Sequence, residues 1–377
     1  MSRFIHSTSL RLPDNSIERH TTWLEIFFDL IAAIIVVQIS DRLSNNLTPL
    51  GIFYCIALFI PTFWMWVSYT IFAARFDNND AIHWGMTFVT MFAGVIMAIQ
   101  IPTALEEGAN VFAIGFIISQ IALILLYTRA FFDKSTPKSI TLFYLSCFSI
   151  AISCWIISLF FPPLIKFSLW TLGMSIYLIM PWLGRKRILS KAPLDTVYVP
   201  ERFGAFTIII LGQTIAAVVF GLESASWHPT AIITSVMAFI LATLIWGQYY
   251  RFIHMADYKC TFGSGQPYIY GHIPLIIGLI IIGVCAKEFI IKSTHIEEYI
   301  SHLFCLAIIL YLSSFLLLQY ITIRKFKMRG LSYLGGITAL LLLFFVYPLS
   351  PVLLISGVAL IFLALLAIQF ELGAKKS

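Results

Sequence analysis

The chain has 377 residues, 60% of them apolar and 11% charged, with a net charge of +6. Soluble domains carry roughly 45–50% apolar and about 25% charged residues, so a soluble multidomain protein is excluded for want of surface charge. A disordered chain is excluded because there is too much apolar mass to leave unburied. What remains is an all-α, polytopic integral membrane protein that lies almost wholly within the bilayer.

A bilayer core takes about 20 apolar residues per helix, and twelve such stretches follow one another. In the first half they run over 22–43, 49–74, 82–104, 111–132, 140–161 and 164–183. In the second they run over 202–222, 229–252, 271–293, 301–321, 332–349 and 351–371. The last pair is separated only by the turn between Pro348 and Pro351, but together these stretches are too long for one crossing. Alternation at period two is absent, which argues against strands. The polar segment 1–21 has no short apolar core with a small-residue cleavage site, so the first span is expected to be an uncleaved anchor. The organisation expected is a first six-helix half over 22–183, a basic linker over 184–201, a second half over 202–371 and a tail over 372–377.

Orientation follows from Lys and Arg. With twelve spans and both ends cytoplasmic, 20 of the 24 basic residues fall on the cytoplasmic side, leaving Arg42, Lys166, Lys287 and Lys292 outside. The positive charge is therefore a topology signal of a multi-pass plasma-membrane protein. Its partners are the lipid bilayer and an unidentified small solute or lipid, with no nucleic acid. The six Cys form no C-x-x-C pair and the eight His show no metal-ligand spacing. No phosphate-binding loop or Ser-His-Asp set is present. The sequence thus names no catalytic residue, metal or cofactor, and it is silent on oligomeric state.

The halves resemble each other weakly. Glu18-Arg19 is matched by Glu201-Arg202, and Trp66, Tyr69, Phe72 and Asp77 are matched, at one offset, by Trp246, Tyr249, Phe252 and Asp257. Six spans per half would make the repeats parallel, related by an axis along the membrane normal. Coincidence in so aromatic a chain is the alternative.

Several residues can carry chemistry. Thr22-x-x-Glu25 is a capping box for the first helix. Asp29 lies on the same face four residues on but too deep for that explanation. An ionised Asp near this depth costs about 2–3 kcal/mol on the lenient insertion scale, so it should find a partner. Arg75, Arg129, Arg202 and Arg251 end or open spans at the same level. An inner-side cluster of Glu25, Asp29, Asp77, Arg129, Arg202 and Arg75 is the expectation, either as an ion-pair lattice or as a gate, a proton site or a headgroup site. Asp77-Asn78-Asn79-Asp80 is a D-x-x-D that could hold Mg²⁺ and a diphosphate, as in UbiA-type prenyltransferases, or simply cap the third span. Gln38, Gln100, Gln120, Gln213, Gln248 and Gln319 interrupt apolar spans and are expected to bond between helices. Gln213 follows Gly212, whose small size would admit a neighbouring backbone. Pro102, Pro181 and Pro274 are candidate kinks. His272, in Tyr270-Gly271-His272-Ile273-Pro274, could titrate near neutrality or be structural.

These motifs resemble a known family. Arg19-x-x-Thr22-Trp23-Leu24-Glu25-Ile26-Phe27-Phe28-Asp29-Leu30 looks like the opening of the low temperature requirement A family of membrane proteins. Arg75-Phe76-Asp77, Glu201-Arg202-Phe203-Gly204-x-Phe206-x-Ile208-Ile209-x-Leu211-Gly212, and Tyr270-x-His272-x-Pro274 with Gly278 are similar to further family stretches. The resemblance covers about 20–290. It implies a bacterial polytopic protein associated by name with growth in the cold, and it does not settle an activity. The chain departs from the pattern where Gln213 replaces an acid, where Arg251 stands near the usual acid of span 8, and where Val199-Pro200 precede Glu201.

The leading reading is a transporter-like protein whose polar site, between the two halves, includes Asp29 and Gln213, with Arg202 and Arg129 as charge partners and Glu25, Arg75, Asp77, Glu201, Tyr249 and His272 in the surrounding set. A membrane enzyme acting on a lipid or prenyl substrate through Asp77 and Asp80, and a non-catalytic scaffold, are the alternatives.

Overall fold

The computed structural model describes residues 9–10, 20–77, 80–133, 136–189, 194–195, 197–255, 265–292, 297–322, 332–340 and 350–374. The described chain is all-α apart from a two-residue antiparallel ladder, β1 (Ser9–Leu10) on β2 (Phe76–Asp77). Its helices are α1 (Trp23–Asn45), α2 (Pro49–Arg75), α3 (Ala81–Gln100), α4 (Ala109–Phe132), α5 (Lys138–Ser158), α6 (Pro163–Gly184), α7 (Tyr198–Ser224), α8 (Pro229–Met255), α9 (Gln266–Ile291), α10 (Glu298–Thr322), α11 (332–340) and α12 (Pro351–Ala374). Eleven of them are long and apolar enough to cross a membrane. The exception is α11, which coincides with the start of the expected span 332–349. The rest of that span, with Pro348, lies outside the described residues.

Hydrocarbon offers no water to a polar backbone, so each span must be a helix that satisfies itself. Hydroxyls inside the spans obey the same constraint. Thr62, Ser68 and Thr70 in α2 donate to the carbonyls of Leu58, Trp64 and Trp66. Thr87 and Thr90 in α3 donate to those of His83 and Met86. Such back-bonding lets polar residues sit in apolar surroundings without a partner on another helix.

Capping fixes several helix starts. In the capping box of α1, the Thr22 backbone N–H donates to Glu25 Oε2 at 2.8 Å and the Glu25 N–H to Thr22 Oγ1 at 3.4 Å. Asp80 caps α3 by accepting the His83 N–H at 3.0 Å. Helix α7 starts four residues before the expected 202, because Asp195 Oδ1 accepts the N–H groups of Val197 and Tyr198 at 2.8 and 2.9 Å. Pro200 is tolerated there, in the first turn, where its missing N–H has no intrahelical acceptor to lose.

Prolines divide into two kinds. Pro181 and Pro274 lie inside α6 and α9 as expected, and so does Pro61 inside α2. Pro102 instead occupies a short 3₁₀ turn, Ile101–Thr103, that ends α3, so it terminates a helix where a kink was expected.

The chain divides into two compact units. The first comprises Met1–Arg42, Phe53–Phe203 and Phe262–Ile269. Within it α3 packs on α4, α4 on α5, and α5 on α6. The second comprises Leu43–Ile52, Gly204–Thr261 and Tyr270–Ser377, and within it α8 packs on α12.

Candidate functional site

The first unit buries a three-member ion cluster. Glu25 and Asp29 on α1 and Arg202 on α7 are 1%, 0% and 0% exposed. The Arg202 guanidinium donates from Nη2 to Asp29 Oδ1 at 2.5 Å, and its Nη1 lies 3.7 Å from Glu25 Oε2. The i, i+4 spacing of the acids puts both carboxylates on one face of α1, and Arg202, in the second turn of α7, spans them.

Neutral donors complete the shell. The indole N–H of Trp66 on α2 donates to Asp29 Oδ1 at 2.6 Å. The Tyr198 hydroxyl donates to Glu25 Oε1 at 2.6 Å. Arg202 Nη2 also reaches Thr70 Oγ1 at 3.4 Å. Trp66 and Thr70 are one turn apart on α2, and Tyr198 and Arg202 one turn apart on α7, so each helix contributes a single face. Asp29 Oδ2 and Arg202 Nε and Nη1 have no hydrogen-bond partner among the described residues.

The other expected members go elsewhere. Arg129 on α4 makes a bidentate pair with Asp80, 2.9 Å from Nη1 to Oδ1 and closer still from Nη2 to Oδ2. Asp80 is thereby committed to capping α3 and to Arg129. Arg75 donates to the Tyr144 hydroxyl at 2.5 Å and lies 5.4 Å over its ring. The side chain of Asp77, like residues 78–79, is outside the described residues. Glu201, at the membrane end of α7, accepts the Thr21 N–H at 3.3 Å and lies 3.5 Å from His20 Nδ1. Among the described residues, the members expected in one cluster are thus seen in three arrangements, around Asp29, Asp80 and Tyr144.

In the second unit, Tyr249 and His272 are both buried, with the hydroxyl 2.8 Å from Nε2. Tyr69 in the first unit makes the same kind of contact with His83, at 3.0 Å, and a further one with Thr87. Tyr69 and Tyr249 are the tyrosines aligned by the internal offset. Gln213 is half-buried and its Oε1 has no partner among the described residues. Gly212 beside it is exposed, and among the described residues a Cβ there would meet nothing within 4 Å, so no described backbone packs against it, contrary to the expectation. Arg251 on α8 donates to the carbonyls of Gln369 and Phe370 near the end of α12, at 3.1 and 3.4 Å. Asp257 lies outside the described residues.

Sequence reasoning missed Trp66 and Tyr198 as members of the site. Tyr198 stands four residues before Arg202, on the same helical face, which is the signal that could have found it.

A protein of Rhizobium meliloti (strain 1021), Uncharacterized protein RA0937, is 25% identical over 301 residues, covering 71% of this chain and 72% of the relative. The model of a family described as bacterial low temperature requirement A protein matches residues 20–368, from two residues before the capping box to within the last helix. This multi-pass membrane chain belongs to the bacterial low temperature requirement A family.

Proposed function

We propose that the chain is a plasma-membrane transporter for a small solute, and that the Glu25–Asp29–Arg202 cluster is the charged element whose pairing changes in the transport cycle. The observation that carries this reading is the incomplete bonding of Asp29 and Arg202 among the described residues. A buried lattice that only held helices together is stable when its charges balance and its hydrogen bonds are complete. Here Asp29 Oδ2 and Arg202 Nε and Nη1 have no hydrogen-bond partner among the described residues. A proton on Asp29 Oδ2 would weaken the pairing with Arg202, and its loss would restore it. That is the chemistry of a proton-coupled step. Gln213, whose amide oxygen has no partner among the described residues, is the candidate second polar position. The Lys and Arg distribution supports cytoplasmic termini.

Two-sided thiol labelling tests this. The six native Cys are replaced, single Cys are placed at Thr70 and Gln213, and intact and inside-out vesicles are exposed to a charged, impermeant reagent. Labelling of one position from both sides is expected, with Asp29→Asn shifting the balance between sides. Labelling from one side only, or from neither in a folded protein, would overturn the proposal.

A further inference from the structure

Arginines at the helix ends of this chain join one segment to another. Arg42, Arg75, Arg129, Arg202 and Arg251 each donate to a residue outside their own helix. Arg185, the residue that follows α6, differs. Its Nη1 donates to the Trp182 carbonyl of α6 at 2.6 Å, and its guanidinium lies 3.9 Å over the Trp182 ring. An indole face attracts a guanidinium, so the stack and the hydrogen bond hold this cation in place while joining no two segments. Of the five N–H donors of a guanidinium, that bond takes one.

Further cations stand beside it. The Ile188 N–H still donates to the Gly184 carbonyl at 3.0 Å, so the chain winds on for a turn beyond α6, and Lys186 and Arg187 in that turn are exposed. A Cβ on Gly184 would collide with the Phe143 ring of α5, so the end of α6 is level with Phe143. Lys138, the first residue of α5, lies about 7.5 Å further toward the same edge at 1.5 Å per residue. It is exposed, with its Nζ 5.6 Å over the Phe131 ring. Next to these cations is an apolar face. Ile179, Trp182 and Leu183 of α6 are exposed, and their i, i+3, i+4 spacing puts them on one side of the helix. Helix α6 is long and apolar enough to cross a membrane, so that side meets lipid chains.

An excess of Lys and Arg on one side of a bilayer orients a chain by its count alone and requires no cation in a fixed place. Arg185 is fixed. A planar guanidinium matches the oxygens of a phosphate, and neighbouring Lys and Arg add attraction for a headgroup of net negative charge. We propose that the end of α6 binds an anionic phospholipid, its phosphate on Arg185 within the field of Lys138, Lys186 and Arg187, and an acyl chain along Ile179 and Leu183. The site is independent of the transport reading and of which side of the membrane it faces.

The test titrates the purified full-length protein in detergent with phosphatidylglycerol or with phosphatidylcholine of the same chains, and counts bound lipid by native mass spectrometry. Saturable binding of phosphatidylglycerol is expected, about tenfold tighter than that of phosphatidylcholine. Arg185→Lys keeps the charge but loses the planar fork, and Trp182→Leu removes the stack. Each should weaken phosphatidylglycerol binding about fivefold, the equivalent of about 1 kcal/mol. Lys375→Gln with Lys376→Gln, which removes two charges from the tail, should leave it unchanged. Equal binding of the two lipids would overturn the site. So would Arg185→Lys binding like the wild type, or the tail variant weakening as Arg185→Lys does, since binding would then follow charge alone. Competition by glycerol phosphate as strong as that by the lipid would assign the cation to a soluble anion and overturn the lipid. If a variant fails to fold, the wild-type lipid ratio and the competition still decide.

Discussion

Arg202 is held by two acids one turn apart on a single helix, and the three side chains differ in how costly each is to lose. Removing the base leaves two carboxylates facing each other in a dry site, and breaking a buried pair in this way costs about 3–5 kcal/mol. Arg202→Met is therefore expected to lower the thermal midpoint strongly in detergent. Adding Glu25→Gln and Asp29→Asn to it should recover much of the loss, which melting curves of the single and the triple variant would measure. A smaller effect is expected at Tyr249→Phe, which removes the hydroxyl contact with His272. There the loss should be about 0.5–1.5 kcal/mol, read as a modest shift of the same melting curve. Asp29 was legible in the sequence because an acid seven residues beyond its helix cap has no local explanation. Trp66 and Tyr198 were not. In a chain that is 15% aromatic, a ring that donates a hydrogen bond reads the same as a ring that only packs. The D-x-x-D was legible as chemistry but ambiguous, and its second acid turned out to be the cap of α3 and the partner of Arg129.

Helix α7 shows how an element places a site. Its start is set by Asp195, which satisfies two N–H groups of the first turn, and so fixes the turn from which Tyr198 and Arg202 project. Asp195→Ala should cost about 1 kcal/mol, the usual worth of an N-cap, and should raise hydrogen exchange selectively at the beginning of α7. The pairing of α5 with α6 is constrained by Gly173. A Cβ at that position would come within 2.8 Å of the Trp155 ring and 3.0 Å of the Ala151 carbonyl. Gly173→Ala should accordingly cost about 1–3 kcal/mol through overpacking, checked by thermal unfolding of the purified protein. Apolar length marked the existence of the spanning helices well. It did not mark their ends, because ends depend on caps such as Asp195 and on turns such as that of Pro102, which spacing alone does not rank.

For the whole molecule, the distribution of Lys and Arg is the strongest statement in the sequence about orientation. Reporter fusions that are active only in the cytoplasm should therefore be active at both the N- and the C-terminus, and a fusion in the 159–162 turn should be silent. The internal offset that aligned Tyr69 with Tyr249 finds each tyrosine against a histidine of the following spanning helix in its own unit, His83 on α3 and His272 on α9. Neither histidine was part of the offset that aligned the tyrosines. The sequence could align aromatic residues at one spacing, but the histidines stand at a different one, since the loops between them and the tyrosines differ in length.

The pairing of Asp29 with Arg202 joins residues 173 positions apart, and that separation has a meaning in time. At roughly 5–20 residues per second, about 10–35 s of synthesis pass between the acids of α1 and their base. Through that interval the nascent chain has two carboxylates at the end of its first span and no guanidinium from α7 to meet them. For that time the acids of α1 have to be protonated, shielded or held near the interface. A chain stopped after α6 should be degraded quickly in the cell, and Glu25→Gln with Asp29→Asn should prolong its life. The ion cluster then serves as a checkpoint of biogenesis, reporting that the chain has been made as far as its seventh helix.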